Sequence, residues 1–160
     1  MGTKKISQHL ETMVSPSRLF KILITESQEV LPKFKNLIKS VEIVQGHEIA
    51  AGCVVKTTFP DGAPFKFMTH RIDAIDNENY MCNYTLIDGD VLGEKVEKVC
   101  YEIKLEASAN GGCKIKLDIE YHSKGDAEIT NKETEMGTEQ ALRLYKAYEE
   151  YIIAHPSIFT

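Results

Sequence analysis

The sequence predicts an α+β domain in which one antiparallel sheet of seven strands curves around a single long helix. Three observations carry that expectation. From about Ser40 to Tyr121 apolar and polar residues alternate with a period of two, broken by short turn signals, which is the pattern of an antiparallel meander. After Thr130 the period becomes helical and holds to Pro156. Ahead of Ser40 there is room for one strand and two short helices. A chain of 160 residues suits a single domain spanning 1–160, long enough to fold on its own core without disulfide or metal.

The segment Lys5 to Val14 reads as the first strand. Ser15-Pro16 opens a helix, with Ser15 as its cap and Pro16 at the first helical position, where a missing N–H costs nothing. Leu19, Phe20 and Leu23 continue it at helical spacing to Thr25, and a second helix runs from Ser27 to Lys35, interrupted by Pro32. In the β region Val99 to Ala107 places apolar or aromatic residues at odd positions and Glu102, Lys104 and Glu106 opposite them. Asn110-Gly111-Gly112 supplies a turn. Cys113, Ile115, Leu117, Ile119 and Tyr121 then alternate along the partner strand of a hairpin with one wet and one dry face. Pro60–Pro64 and Asp76–Asn79 mark turns between the preceding strands. The final helix opens on a capping box, Thr130-Asn131-Lys132-Glu133, and carries Ala141, Leu144, Tyr145, Tyr148 and Ile152 as an apolar stripe. A sheet that bends away from such a helix leaves space the stripe cannot fill, and a ligand cavity is the expected consequence. Whether Tyr145 and Tyr148 belong to the core or to the cavity wall stays open.

Composition closes several routes. A formal net charge of −5 argues against a phosphate-backbone partner, which needs clustered Lys and Arg. No apolar run is long enough to span a membrane, and the polar first residues contain no secretory core, so a cytoplasmic protein is expected; it is read as a monomer. Cys53, Cys82, Cys100 and Cys113 are too widely spaced to supply the close ligand pair of a zinc site. They are expected as free thiols, with no metal or other cofactor. Glu94, Lys95, Glu97 and Lys98 form an alternating charge run, read as a solvated edge.

The runs Ile87–Lys98 and Tyr121–Asp126 resemble the signature stretches of the plant pathogenesis-related class 10 family, the family of the major birch-pollen allergen. Phe59–Lys66 and Glu149–Pro156 resemble it too, so the likeness covers the whole chain in order. It implies the helix-grip, START-like fold: a seven-stranded antiparallel sheet around a long C-terminal helix, with two short helices and a large internal cavity. It further implies a defence-related protein whose partners are amphipathic small molecules such as flavonoids, cytokinins, steroids or alkaloids. One departure matters. The family's glycine-rich loop is replaced here by Gln45–Cys53, which keeps only Gly46 and Gly52 and adds Glu48. A backbone nest for phosphate needs permissive glycines and no adjacent carboxylate, so a nucleotide or ribonuclease role is weakened.

Some relatives in this family are alkaloid enzymes, notably norcoclaurine synthase, whose chemistry uses a tyrosine, a glutamate, a lysine and an aspartate. Aligned through the Ile87-Asp88-Gly89 turn, those positions carry Met68, His70, Cys82 and Tyr101, so that condensation is not expected here. The resemblance places His70, Cys82, Tyr84 and Tyr101 in the cavity, with Leu23, Phe59, Met68, Val99 and Ile103 around them. Met136, Gln140 and Leu144 come from the long helix. His titrates near neutrality and a tyrosine can donate to a developing oxyanion, so His70 and Tyr101 are candidate catalytic residues for moving a proton beside a ketone. The competing reading makes them polar handles that orient a carried ligand. The periodicity leaves the face of His70 open, because Phe65 and Phe67 argue for the opposite parity unless a bulge intervenes.

Overall fold

The computed structural model describes residues 2–30, 33, 38–63, 65–90 and 92–156; the side chains of residues 133, 136, 137 and 140 are outside that description. Strand β1 (Thr3–Thr12) leads to α1 (Pro16–Phe20), a π-helical stretch (Lys21–Thr25) and α2 (Ser27–Val30). Six strands follow: β2 (Ser40–Gln45), β3 (Val54–Thr58), β4 (Phe67–Asp76), β5 (Met81–Gly89), β6 (Val96–Ala107) and β7 (Cys113–Ser123). Helix α3 (Asn131–Ala154) closes the fold. The strands form one antiparallel sheet in the order β1-β7-β6-β5-β4-β3-β2, the seven-stranded helix-grip architecture the sequence implied.

The register explains why the alternation was legible. In the β6–β7 hairpin Ile103 pairs with Leu117, Tyr101 with Ile119 and Leu105 with Ile115, while Glu102 faces Asp118 and Lys104 faces Lys116. Ile103, Leu105, Leu117 and Ile119 are all buried, so each inward rung removes two apolar side chains from water. Gly89, which closes β5, has φ +141 and would put a β-carbon 2.7 Å from the Phe67 carbonyl oxygen. Beside it the exposed Asp90 carboxylate accepts from the Lys66 and Phe67 amides at 2.9–3.3 Å. The family-like run around Ile87–Asp90 therefore ties the β5–β6 connection to the start of β4.

Helix α3 is held at both ends. Near its start the Tyr121 hydroxyl donates to the Thr134 carbonyl at 3.3 Å, and Lys4 bonds Asn131. At its end the Arg18 guanidinium of α1 donates to the Ile152 and His155 carbonyls at 3.1 and 2.5 Å, a cation placed where the helix dipole is negative. Between those fastenings the sheet curves away.

Several local expectations need correction. β1 begins and ends two residues earlier than its alternation suggested, because Val14 leaves the ladder to bury its side chain in the core. Ser15 stands at the N-cap position, but its side chain makes no capping bond; its carbonyl accepts from the Leu19 amide instead. The described part of the second helix is only Ser27–Val30, and Pro32 and Lys35 fall outside the described residues. At α3 the Thr134 amide bonds the Thr130 carbonyl at 3.3 Å, while the Glu133 half of the capping box lies outside the described side chains.

The four thiols are not bonded to one another. Burial pushes Cys82 up to about 12 and Cys113 up to about 11, and Cys53 is also buried. Cys100 is half-buried on the outer face of the sheet. Alkylation follows thiolate and access, so mild iodoacetamide treatment of the folded protein is expected to label Cys100 first. Peptide mass spectrometry that found Cys82 labelled equally fast would contradict the packing described here.

Candidate functional site

The space between α3 and the sheet is a cavity of about 190 Å³. Its floor is strand wall: Val55, Thr57 and Phe59 from the β3 side, Met68, His70 and Ile72 from β4, Tyr84 from β5 and Tyr101 from β6. The helix contributes Ala141, Leu144, Tyr145 and Tyr148, and the short N-terminal helices close one end with Leu23, Ile24 and Ser27. Among the described residues no Asp, Glu, Lys or Arg lines it. A larger groove of about 590 Å³ lies across the outer face beside Asp73, Glu102, Asp118 and Glu120, but there the side chains are solvated and paired with neighbours such as Ser7 and Lys116. The apolar space between α3 and the sheet is the candidate site.

Plain alternation along β4 decides the face of His70, since its ladder with β3 runs from Phe67 to Arg71 without a slip. The β4–β5 register slips between Thr69 and His70, leaving Ile87 without a partner, and again between Ile72 and Ala74, leaving Asp73 without one. Neither slip inserts a residue on β4 between Met68 and Ile72, so Met68, His70 and Ile72 turn inward together, whereas Phe67 takes the outer face beneath the Lys56 ammonium, 4.8 Å from its ring centre. Tyr84 and Tyr101 face each other across β5 and β6 and stack, with ring centres 4.9 Å apart and planes 10° apart. The His70 ring stands edge-on to both, at 5.4 Å from Tyr84 and 5.8 Å from Tyr101.

Electrostatics follow from burial. Desolvation pushes the His70 imidazole down to about 4, so the ring is neutral at ordinary pH. The same cause pushes the Tyr84, Tyr101 and Tyr148 phenols up, and Tyr145 to about 12. Tyr145 is also an electrostatic partner of Tyr84 and adds to the upward push on its phenol. His70 makes ring contacts, but among the described residues no hydrogen bond to either ring nitrogen is found. It is a neutral acceptor and donor facing an apolar chamber.

Of the site residues expected from sequence, Leu23, Phe59, Met68, His70, Tyr84, Tyr101 and Leu144 line this cavity. Cys82, Val99 and Ile103 do not. They share the inward face, but Cys82 and Ile103 sit one rung beyond the tyrosine pair, each 1% exposed in solid core, and Val99 lies one rung the other way. The side chains of Met136 and Gln140 lie outside the described residues. Sequence reasoning passed over Ile24, Ser27, Ile38, Val41, Ile49, Val55, Thr57 and Ile72, all on the wall. A signal existed for three of them: Val55 and Thr57 precede Phe59 by four and two residues on the same strand side, and Ile72 follows His70 by two. The connection after β2 gives the cavity Ile49, and its Gly52 amide is committed to the Ile72 carbonyl at 2.7 Å.

A curved seven-stranded sheet gripping a long C-terminal helix defines the helix-grip class. The family model for the pathogenesis-related protein Bet v 1 family matches residues 1–155. The chain is 38% identical to pathogenesis-related protein STH-21 of Solanum tuberosum over 159 residues, 99% of each chain. It is 39% identical to major strawberry allergen Fra a 1.04 of Fragaria ananassa over 158 residues, 98% of each. Among solved structures, Ara h 8.0201 superposes with a TM-score of 0.85 at 34% identity, covering 96% of this chain and 100% of that one. Norcoclaurine synthase from Thalictrum flavum shares the fold at a TM-score of 0.73 and 20% identity, covering 96% of this chain and 88% of that one. This chain belongs to the pathogenesis-related protein Bet v 1 family. No helix among the described residues is long and apolar enough to cross a membrane.

Proposed function

We propose that this protein is a single-domain cytoplasmic carrier of amphipathic small molecules, of flavonoid, cytokinin, steroid or alkaloid type, serving plant defence. The observation that supports this reading is an apolar cavity between helix and sheet, lined by a half-buried imidazole that has no hydrogen-bond partner among the described residues. Apolar walls supply affinity, and His70 fixes orientation. A charged guest is disfavoured, because no ionic side chain among the described residues lines the cavity to neutralise it. Size matters as well. A dry cavity of roughly 150 Å³ suffices for benzene, so about 190 Å³ favours the compact end of these ligands.

Planar phenols are expected to bind at about micromolar affinity, roughly −8 kcal/mol, with a negative heat-capacity change. His70→Ala should weaken binding by about 1 kcal/mol, the worth of one hydrogen bond. Flat calorimetric titrations across a broad panel of plant phenolics, cytokinins and alkaloids would sink the carrier reading.

A second reading draws on the packing of His70 against Tyr84 and Tyr101: an isomerase that moves one proton along a bound ketone. Burial weighs against it, since a base held near 4 is poorly matched to proton transfer at neutral pH. Proton exchange into a bound ketone, followed by NMR in D₂O, separates the two. A carrier leaves the exchange rate unchanged. An enzyme accelerates it, and His70→Ala then removes about 10²–10⁴-fold of the acceleration.

A further inference from the structure

Beyond Tyr101 lies a second chamber of about 310 Å³, walled by Leu86, Leu92, Val96, Val99 and Tyr121 and reached past Gly93, Glu94 and Lys95. Among the described residues, Met68 and Tyr101 are common to the linings of this chamber and of the inner cavity. Tyr101 is well suited to be a fixed partition. Its ring is stacked on Tyr84 and flanked by the His70 edge, so its rotation is opposed by two aromatic contacts. Met68 is a different kind of wall, an unbranched side chain that adapts to its neighbours.

From this arrangement we infer that Tyr101, with Met68 beside it, is the residue that sets ligand length. The inference rests on the carrier reading and adds a selectivity rule to it. A compact guest fills the inner cavity and bonds His70. A longer one carrying the same polar head has to pass the plane of Tyr101 to place its remaining rings in the second chamber, and the stacked ring opposes this, so four-ring steroids are the weakest-bound of the ligand types proposed. Removing the Tyr101 ring joins the chambers, and the added apolar surface of a long ligand then becomes burial instead of collision.

The test holds the polar head constant and varies length. 2-Naphthol, a two-ring phenol, and estradiol, a four-ring phenol, are titrated calorimetrically into the wild-type protein, Tyr101→Phe and Tyr101→Ala. Wild type and Tyr101→Phe should bind 2-naphthol and discriminate against estradiol. Tyr101→Ala should tighten estradiol by at least about tenfold and change 2-naphthol far less. Thermal melting checks that Tyr101→Ala is folded; if it is not, Met68→Ala opens the same wall from β4 and carries the same expectation. Wild-type protein that binds both phenols equally overturns the partition and leaves the carrier reading standing. So does an opened variant that binds 2-naphthol and gains nothing for estradiol. Silence of both phenols with every protein overturns the partition, and only that outcome counts against the carrier reading as well.

Discussion

His70 is expected to make the fold acid-sensitive, with up to about 3 kcal/mol of stability lost between pH 6.5 and pH 4, and His70→Gln should remove that loss. The sign follows from which state takes the proton. In the folded protein burial holds the imidazole down at about 4, while the unfolded chain titrates near 6.5. As the pH falls through 6.5 the unfolded state is protonated first and is stabilised relative to the fold. The contribution of neutral His70 is therefore complete above 6.5, falls steadily below it, and stops changing under 4. No carboxylate among the described lining residues is present to rescue the imidazolium, and the facing tyrosines stay neutral throughout this range. Urea unfolding of wild type and His70→Gln at pH 7 and pH 4.5 isolates the effect, because other titrating groups are common to both proteins. Parallel losses in the two would mean that His70 is solvated in the folded state and that the chamber is wet.

The residues around His70 show where sequence reading succeeded and where it stopped. Faces were legible because β alternation is a local property: Val99, Tyr101 and Ile103 share one face of β6, as the alternation from Val99 to Ala107 implied. Depth was not. Cys82 and Ile103 have the same parity as Tyr84 and Tyr101, yet one rung of β-sheet separates core from cavity, and which rungs stay empty depends on how far the sheet bends from α3. That curvature is a property of the whole sheet, set partly by bulges at Ile87 and Asp73 that no single residue type announces. The N-terminal helices show a related limit. Lys21–Thr25 is wound as a π-helix, which changes the phase of the helical face and brings the consecutive residues Leu23 and Ile24 onto one wall. A period of 3.6 finds Leu23 and misses its neighbour.

Gly112→Ala is expected to destabilise the protein by about 3 kcal/mol, while Gly111→Ala, one residue away, should cost only about 1 kcal/mol. The contrast comes from what each new methyl group meets. At Gly111 a β-carbon has nothing within 4 Å, and the penalty is the strain of placing alanine at φ +86. At Gly112 the backbone angle is not the difficulty. A β-carbon there would lie 2.1 Å from the Thr12 carbonyl oxygen and 3.0 Å from the Met13 α-carbon, both backbone atoms of the adjacent strand end. Neither can turn aside as a flexible side chain would. Thr12 is paired with Cys113, which is fully buried, so relief requires moving the end of β1 away from the β6–β7 hairpin. For a chain of this length each kcal/mol lowers the melting temperature by roughly 2–4 °C. Thermal melts should therefore place Gly112→Ala about 6–12 °C below wild type and Gly111→Ala about 2–4 °C below it. Equal melting of the two variants would show that β1 yields freely at Thr12, and that the hairpin turn is not the fixed seat against which the first strand is laid.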